Sequence, residues 1–330
     1  MELIQVSHNE MAALFTRPSH IYNSVDFALL NAPKADSVEF LTFRDTRLRG
    51  GLILGMGGGM ARSPFSAPFG GLLLTREQTA GAVEDMYLLA AQFAAGRGMA
   101  LRVTLPPPFI GPGLYAKSVN VLQRLSGGCA TVEINYHVDL QGVADPEELY
   151  SRSAREKLRQ ARSHDCRFER LETTPDAIAR VYDVIHRNRL HRGFPHNMTL
   201  DQIVATSAVV PMDLFMLTVD GAPAAAAQVH RLNHEMAQVV YWGDLPEAQD
   251  ARPMNLLPLE IYKYYLTHTP VRILDIGHST DGGIINRGLC DYKESVGCRA
   301  TPKPTFTVNL RQEICSEAIT SDSAACQSER

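Results

Sequence analysis

The stretch Arg272-Ile273-Leu274-Asp275-Ile276-Gly277, followed after a short loop by Asn286-Arg287-Gly288-Leu289-Cys290-Asp291-Tyr292-Lys293-Glu294-Ser295-Val296-Gly297, decides the fold. The first piece is a short apolar run closed by glycine, the pattern of a buried strand over 272–277. The second predicts a helix over 286–296. Strand, loop and helix at this spacing describe an α/β layer, and the residues on either side extend it.

Before this stretch, 255–268 predicts a helix in which Pro258 is tolerable only in the first turn. Three strands, 213–219, 224–232 and 236–243, form an antiparallel meander whose first turn is Asp220-Gly221, a strong hairpin signal. Ahead of them lie a strand (167–172), a helix opened by Thr174-Pro175-Asp176 and running to about Arg192, and a shorter helix capped by Thr199. The segment 146–164 predicts one helix with five cations, Arg152, Arg155, Lys157, Arg159 and Arg162. A strand over 305–310 closes the folded part. The tail from Arg311 has no core-forming period.

The first half reads the same way. Ser7 with Glu10 forms a capping box for a helix over 7–16. Strands follow at 38–43, 48–59 and 72–74. Thr75 with Gln78 opens a helix over 78–95, and then come a strand (101–105), a helix (115–125) and a strand (131–140). Both halves thus run helix, meander, long helix, strand, shorter helix, strand, and a duplicated unit is the economical explanation. The expected division is a first domain over 1–142, a basic connecting helix over 143–165, a second domain over 166–310 and a tail over 311–330.

Composition narrows the function. A chain of 330 residues, 45% hydrophobic and 21% charged, with a formal net charge of -4, is a folded protein and not a basic nucleic-acid binder as a whole. The N-terminus lacks the signature of a signal peptide, and no run of roughly eighteen apolar residues occurs. A cytoplasmic protein without a membrane span is expected. Six cysteines without a Cys-x-x-Cys pair read as free thiols, and His186, His191 and His196, five apart, share no helical face, so no metal is expected. Gly55-Met56-Gly57-Gly58-Gly59-Met60 lacks the third glycine of a dinucleotide motif, and no Gly-x-Ser-x-Gly elbow is present.

The element order, the quoted strand and helix, and the basic helix together resemble the FemAB-like branch of the GNAT-superfamily N-acyltransferases, relatives of the Fem-type peptidyltransferases. The resemblance implies an α/β (α+β) fold of two tandem GNAT-like domains, each a mixed, mostly antiparallel sheet flanked by helices. The second would be catalytic and the first degenerate. The implied activity is transfer of an acyl group to a small-molecule or peptide amine, with acyl-CoA or a carrier-protein thioester as donor. Aminoacyl-tRNA as donor, with tRNA or a carrier protein as partner, is the enzyme alternative. A non-catalytic binding protein is the other. No tightly bound cofactor is implied, and the oligomeric state stays open.

In such folds the donor's phosphates sit at the start of the helix after the fourth strand, which here is Arg252-Pro253-Met254-Asn255. Arg155 and Arg159 either add a phosphate-binding face or belong to a solvated helix. Lys293 is either a surface lysine of an ordinary helix or, as the resemblance implies, at the transfer site, where its charge would stabilise a phosphate or a developing oxyanion. Asp275, at a strand end, either orients or deprotonates the amine or caps the next loop. His278 is a second candidate base, with an unperturbed pKa of ~6.5. Trp242 either lines an acceptor pocket with Asp244 and Tyr292 or fills core.

Overall fold

The computed structural model describes residues 1–128 and 130–310, so the tail from Arg311 and the thiols of Cys129, Cys315 and Cys326 lie outside the described residues. The chain divides into two compact units, Met1–Val132 with the residues from Lys303, and Glu133–Pro302. This differs from a linear division at 142, because one strand early and one late in the second unit each run across a boundary.

In the first unit the elements are β1 (Glu2–Val6), α1 (His8–Leu14), α2 (Val25–Asn31), β2 (Ser37–Arg44), β3 (Leu48–Gly57), β4 (Met60–Ser63), α3 (Ala80–Ala95), β5 (Ala100–Thr104) and α4 (Pro112–Leu125). β1 to β4 are joined antiparallel in chain order, whereas β4 and β5 run parallel, from Met60 opposite Ala100 to Ser63 opposite Val103. The crossover between them is α3. Its Val83, Met86, Tyr87 and Ala90 recur at helical spacing and bury against Leu52, Leu54, Leu101 and Val103. On the opposite face Met11 and Phe15 of α1 pack with Phe40 and Ile53.

The second unit follows with β6 (Ala130–Asp139), α5 (Arg152–Ala161), β7 (Cys166–Leu171), α6 (Pro175–His191), α7 (Leu200–Ser207), β8 (Met212–Val219), β9 (Ala222–Arg231), β10 (Met236–Asp244), α8 (Pro253–His268), β11 (Ile273–His278), the short pair β12 (Thr280–Asp281) and β13 (Ile284–Ile285), α9 (Arg287–Ser295) and β14 (Arg299–Val308). The strand order is β6-β11-β10-β9-β8-β7, antiparallel throughout except for the parallel pair β10 and β11, which α8 joins. β14 begins in this unit and ends in the first, where Thr305–Val308 pair antiparallel with Leu101–Thr104.

Each unit therefore holds one parallel strand pair spanned by a long helix, as a duplicated unit requires. In the second unit α6 and α7 bury Val181, Ile185 and Ile203 against Leu214 and Met216. α8 covers the other face with Leu257, Ile261, Tyr262 and Tyr265. The carboxylate of Asp213, 3% exposed, accepts from Arg170 on β7, Arg231 on β9 and the Tyr265 hydroxyl on α8, so a buried charge is fully matched across four elements.

The local signals were mostly right. Ser7 with Glu10 and Thr199 with Gln202 form reciprocal capping boxes, and both Asp220 and Gly221 have positive φ, as a tight hairpin demands. Several expectations need correction. Thr79, not Thr75, caps α3, because it is the Thr79 hydroxyl that accepts the Ala82 amide. The strand expected at 72–74 has a single bridge, Gly51 to Leu73. The helix expected over 146–164 is a 3-10 turn (Pro146–Leu149) and then α5, because Ser151 takes an extended conformation and caps a new start. β1, α2, β4 and the pair β12 and β13 had no counterpart in the sequence reading. Among the described residues no helix is long and apolar enough to cross a membrane.

Candidate functional site

The parallel pair of the second unit is registered over only three residues, Met236 to Ile273, Ala237 to Leu274 and Gln238 to Asp275. Both strands then change register. β10 is irregular between Val239 and Tyr241 in its ladder with β9, and β11 between Asp275 and Gly277 in its ladder with β6. Gly277 supplies the positive φ of 73°. A bulge on each strand at the same height drives the two apart, and from Val239 onward β10 has no registered neighbour in β11.

A cavity of about 520 Å³ opens at this parting. Its walls are Val239–Asp244 of β10, Ile276 and His278 of β11, Met254 of α8, Leu289, Tyr292 and Lys293 of α9, and Asn188, Arg189 and Arg192 near the end of α6. Every lining residue belongs to the second unit. The lining holds three cations, Arg189, Arg192 and Lys293, and one carboxylate, Asp244.

Of the residues singled out in the sequence, His278, Trp242, Asp244, Tyr292, Met254 and Lys293 line the cavity. Trp242 and Tyr292 meet edge to face at 6.1 Å, so the tryptophan is wall, in contact with core, and not core filling alone. Asp244 is held from two sides: Asn188 Nδ2 donates to its carbonyl at 2.7 Å and to Oδ1 at 2.9 Å, and Arg192 lies 3.4 Å from Oδ1. The close approach of Asn188 requires glycine at 243, where a Cβ would come within 2.6 Å of the Asn188 side chain.

Asp275 does not line the cavity. It is completely buried and accepts from Asn135 Nδ2 at 2.7 Å, from Gln238 Nε2 and from the Gly277 amide at 3.1 Å, so it braces three strands and the turn instead of facing a substrate. Lys293 lines the cavity, but its ammonium donates to the carbonyls of Ile276, Gly277 and His278 at 2.9–3.1 Å. Three ammonium hydrogens meet three acceptors, which pins the end of β11 and leaves the group facing carbonyls and not an oxyanion. Arg252 is exposed, in a left-handed conformation (φ 56°), and Asn255 is buried in the first turn of α8; neither lines the cavity. Arg155 and Arg159 stand on the exposed side of α5, away from the lining.

Asn188, Arg189 and Arg192 were not anticipated. Their spacing along α6 is that of neighbours on one helical face, and the signal that could have found them was an Asn and Arg cluster where a helix ends. α8 also differs from expectation. It starts at Pro253, so Pro258 falls in its second turn and cannot bond the Met254 carbonyl. The Tyr292 hydroxyl, whose ionisation burial pushes well above its ordinary value, donates to that carbonyl at 2.8 Å. Tyr292→Phe should therefore strand a buried carbonyl and destabilise the second unit by about 1–3 kcal/mol, measured by urea unfolding. Unchanged stability would show that water replaces the hydroxyl without loss.

His186 and His196, distant on the helix pattern, do come together: Tyr182 stacks on both rings, at 5.3 and 4.6 Å. Burial and the neighbouring Arg189 push the His196 imidazole down to about 4. Among the described residues no three His, Cys, Asp or Glu side chains gather as a metal site, and Cys166, Cys290 and Cys298 are free thiols.

No protein-family model matches the chain, and no curated protein matches it. Solved structures do. FemX superposes with a TM-score of 0.67 at 12% identity, covering 95% of this chain and 98% of that one. L-PGS from Bacillus licheniformis gives 0.54 at 10% identity, with 92% of each chain covered. A tandem GNAT protein from the clavulanic acid biosynthesis pathway gives 0.52 at 15% identity, covering 93% of this chain and 98% of that one. At such identities the likeness is one of fold. It bears out the resemblance read from the sequence: this chain is built on the FemAB-like, GNAT-type fold, a mixed α/β architecture of mostly antiparallel strands flanked by helices.

Proposed function

We propose that the chain is an N-acyltransferase whose site is the cavity of the second unit. The supporting observation is the parting of β10 and β11, because it combines a strand edge without a registered neighbour, a cavity of about 520 Å³ and a ring of polar side chains at one place. A thioester donor is an extended, amide-bearing arm with an activated carbonyl at its tip, and a bare strand edge offers such an arm ladder hydrogen bonds. The cavity between the strands then receives the acyl group and the amine.

In the reaction the amine nitrogen attacks the thioester carbonyl and a C–N bond forms. The tetrahedral oxyanion collapses, the C–S bond breaks, and the proton lost by nitrogen returns to the departing thiolate. Backbone amides of β10 beyond Gln238 are the oxyanion donors in this reading. His278, exposed at the end of β11, takes and returns the proton. Arg189 and Arg192 attract a substrate that carries negative charge. Acyl-CoA, an acyl-carrier thioester and aminoacyl-tRNA all present an activated carbonyl beside phosphates.

The test is donor-dependent acylation. Purified full-length protein is incubated with an amine mixture and, separately, labelled acetyl-CoA, an acyl-carrier thioester and aminoacyl-tRNA, and amide product is followed. One donor is expected to give product. Failure with all three sinks the proposal. With the productive donor, His278→Ala should lower kcat/KM by about 10²-fold at neutral pH and abolish the acid limb of its pH profile. A profile of unchanged shape would remove His278 from the proton path.

A further inference from the structure

The first unit carries its own counterpart of the cavity, at the end of its own parallel pair. There the ladder stops at Ser63 and Val103, and a space of about 50 Å³ lies beside Gly70, Gly71 and Leu105, a tenth of the volume in the second unit. The loop around it is well paired. The Gly70 amide donates to the Thr104 carbonyl at 2.9 Å, the Gly71 amide to Ser63 Oγ at 3.0 Å, and Asn23 Nδ2 to the Gly71 carbonyl at 3.2 Å. Tyr87 donates to Ser118 Oγ at 3.2 Å across the cavity wall.

His20 is the exception. Its side chain lines the cavity, the residue is 1% exposed, and neither Nδ1 nor Nε2 has a hydrogen-bond partner. Phe69 meets the ring edge to face at 4.9 Å, fixing its plane. Two orphaned polar atoms in one buried ring are unfavourable unless something in the cavity meets them.

We infer that this cavity is a second ligand site, distinct from the transfer cavity, that holds a small neutral molecule with one hydrogen-bond donor, one acceptor and an apolar end, as a primary carboxamide has. Three features fix the class. Burial pushes the His20 pKa down to about 3, so at neutral pH the imidazole presents one donor and one acceptor nitrogen. No lining side chain is an Asp, Glu, Lys or Arg, so an ionic ligand would be buried without a partner. The remaining wall has an apolar stretch, Leu72, Leu105, Pro106, Ile110 and Leu114, beside the hydroxyls of Tyr87 and Ser118, which bond each other, and the residues Ser19 and Tyr115. A ligand of about four heavy atoms with a methyl end meets both the nitrogens and the wall.

Acetamide is the probe. Full-length protein labelled with ¹⁵N-histidine is titrated with acetamide and, in parallel, with sodium acetate, and the His20 ring nitrogens are followed by long-range NMR correlation. Acetamide should shift them saturably and acetate should not. His20→Phe should remove the response, and Ser118→Val, which narrows the cavity and keeps the imidazole, should weaken binding at least tenfold. No saturable shift, an equal response to acetate, or crystals soaked in acetamide that hold only water beside His20 would each overturn the inference. None of these readings depends on transfer activity, so they stand or fall apart from the proposed reaction.

Discussion

Lys293→Met is expected to be severely destabilising, by about 3 kcal/mol in the second unit, with loss of that unit's cavity as a defined shape. The side chain is 3% exposed and holds three consecutive carbonyls at the end of β11. A methionine fills most of the volume but donates nothing. Hydrogen bonds to a charged group are worth about 1.5–3 kcal/mol each, and the carbonyls at the cavity side regain water when the ammonium is lost. The net figure is therefore nearer one such bond or two than three. The measurement is the urea midpoint at constant m value, together with hydrogen exchange of the Ile276 to Ser279 amides. A midpoint unmoved by the substitution would mean that β11 holds its course without the latch, and an oxyanion role for this lysine would then be back in play.

Acidification should produce the second large effect, and its window identifies the groups. Burial pushes His20 down to about 3 and His230 down to about 4, from an unfolded value near ~6.5. Between those values the unfolded chain binds a proton that the native ring refuses. Stability therefore rises with pH across this range and is lost as pH falls from about 6.5 toward 4. Each pH unit within the window is worth about 1.4 kcal/mol per group, so each histidine removes about 2–3 kcal/mol by pH 4.5. His20 lies in the first unit and His230 in the second, so hydrogen exchange at pH 7 and 4.5 should show both units weakening. His196, also pushed down to about 4, lies in the second unit too, so His230→Gln should reduce the slope of that unit only, and in part. A slope undiminished by this substitution would remove His230 from the acid sensitivity.

The sequence disclosed the order of elements because the signals for them are local. Ser7 with Glu10, Thr199 with Gln202, and Asp220-Gly221 each settle a boundary through contacts made within four residues. Where contacts are distant, the pattern was silent. β4 is four residues long, too short for a period, and β1 is largely exposed and carries little apolar alternation. The site was half legible. His278, Trp242, Asp244, Tyr292, Met254 and Lys293, singled out in the sequence, all line the cavity. Asp275 and Lys293 were harder to read, because a buried polar residue looks the same in sequence whether it faces a substrate or satisfies backbone and amide groups. Only the partners, Asn135 and Gln238 for the acid and three carbonyls for the lysine, tell the two apart.

The return of the last strand shapes how the protein is made. Thr104 meets Thr305 across 201 residues of chain, and the Leu105 amide waits for the carbonyl of Pro304. A ribosome delivering this polypeptide exposes β5 with one side unclaimed while the whole second unit is still being translated. During that interval the nascent first unit is a sheet with an open flank, the state in which strands recruit strangers. The slower the second unit is synthesised, the longer that flank stays open.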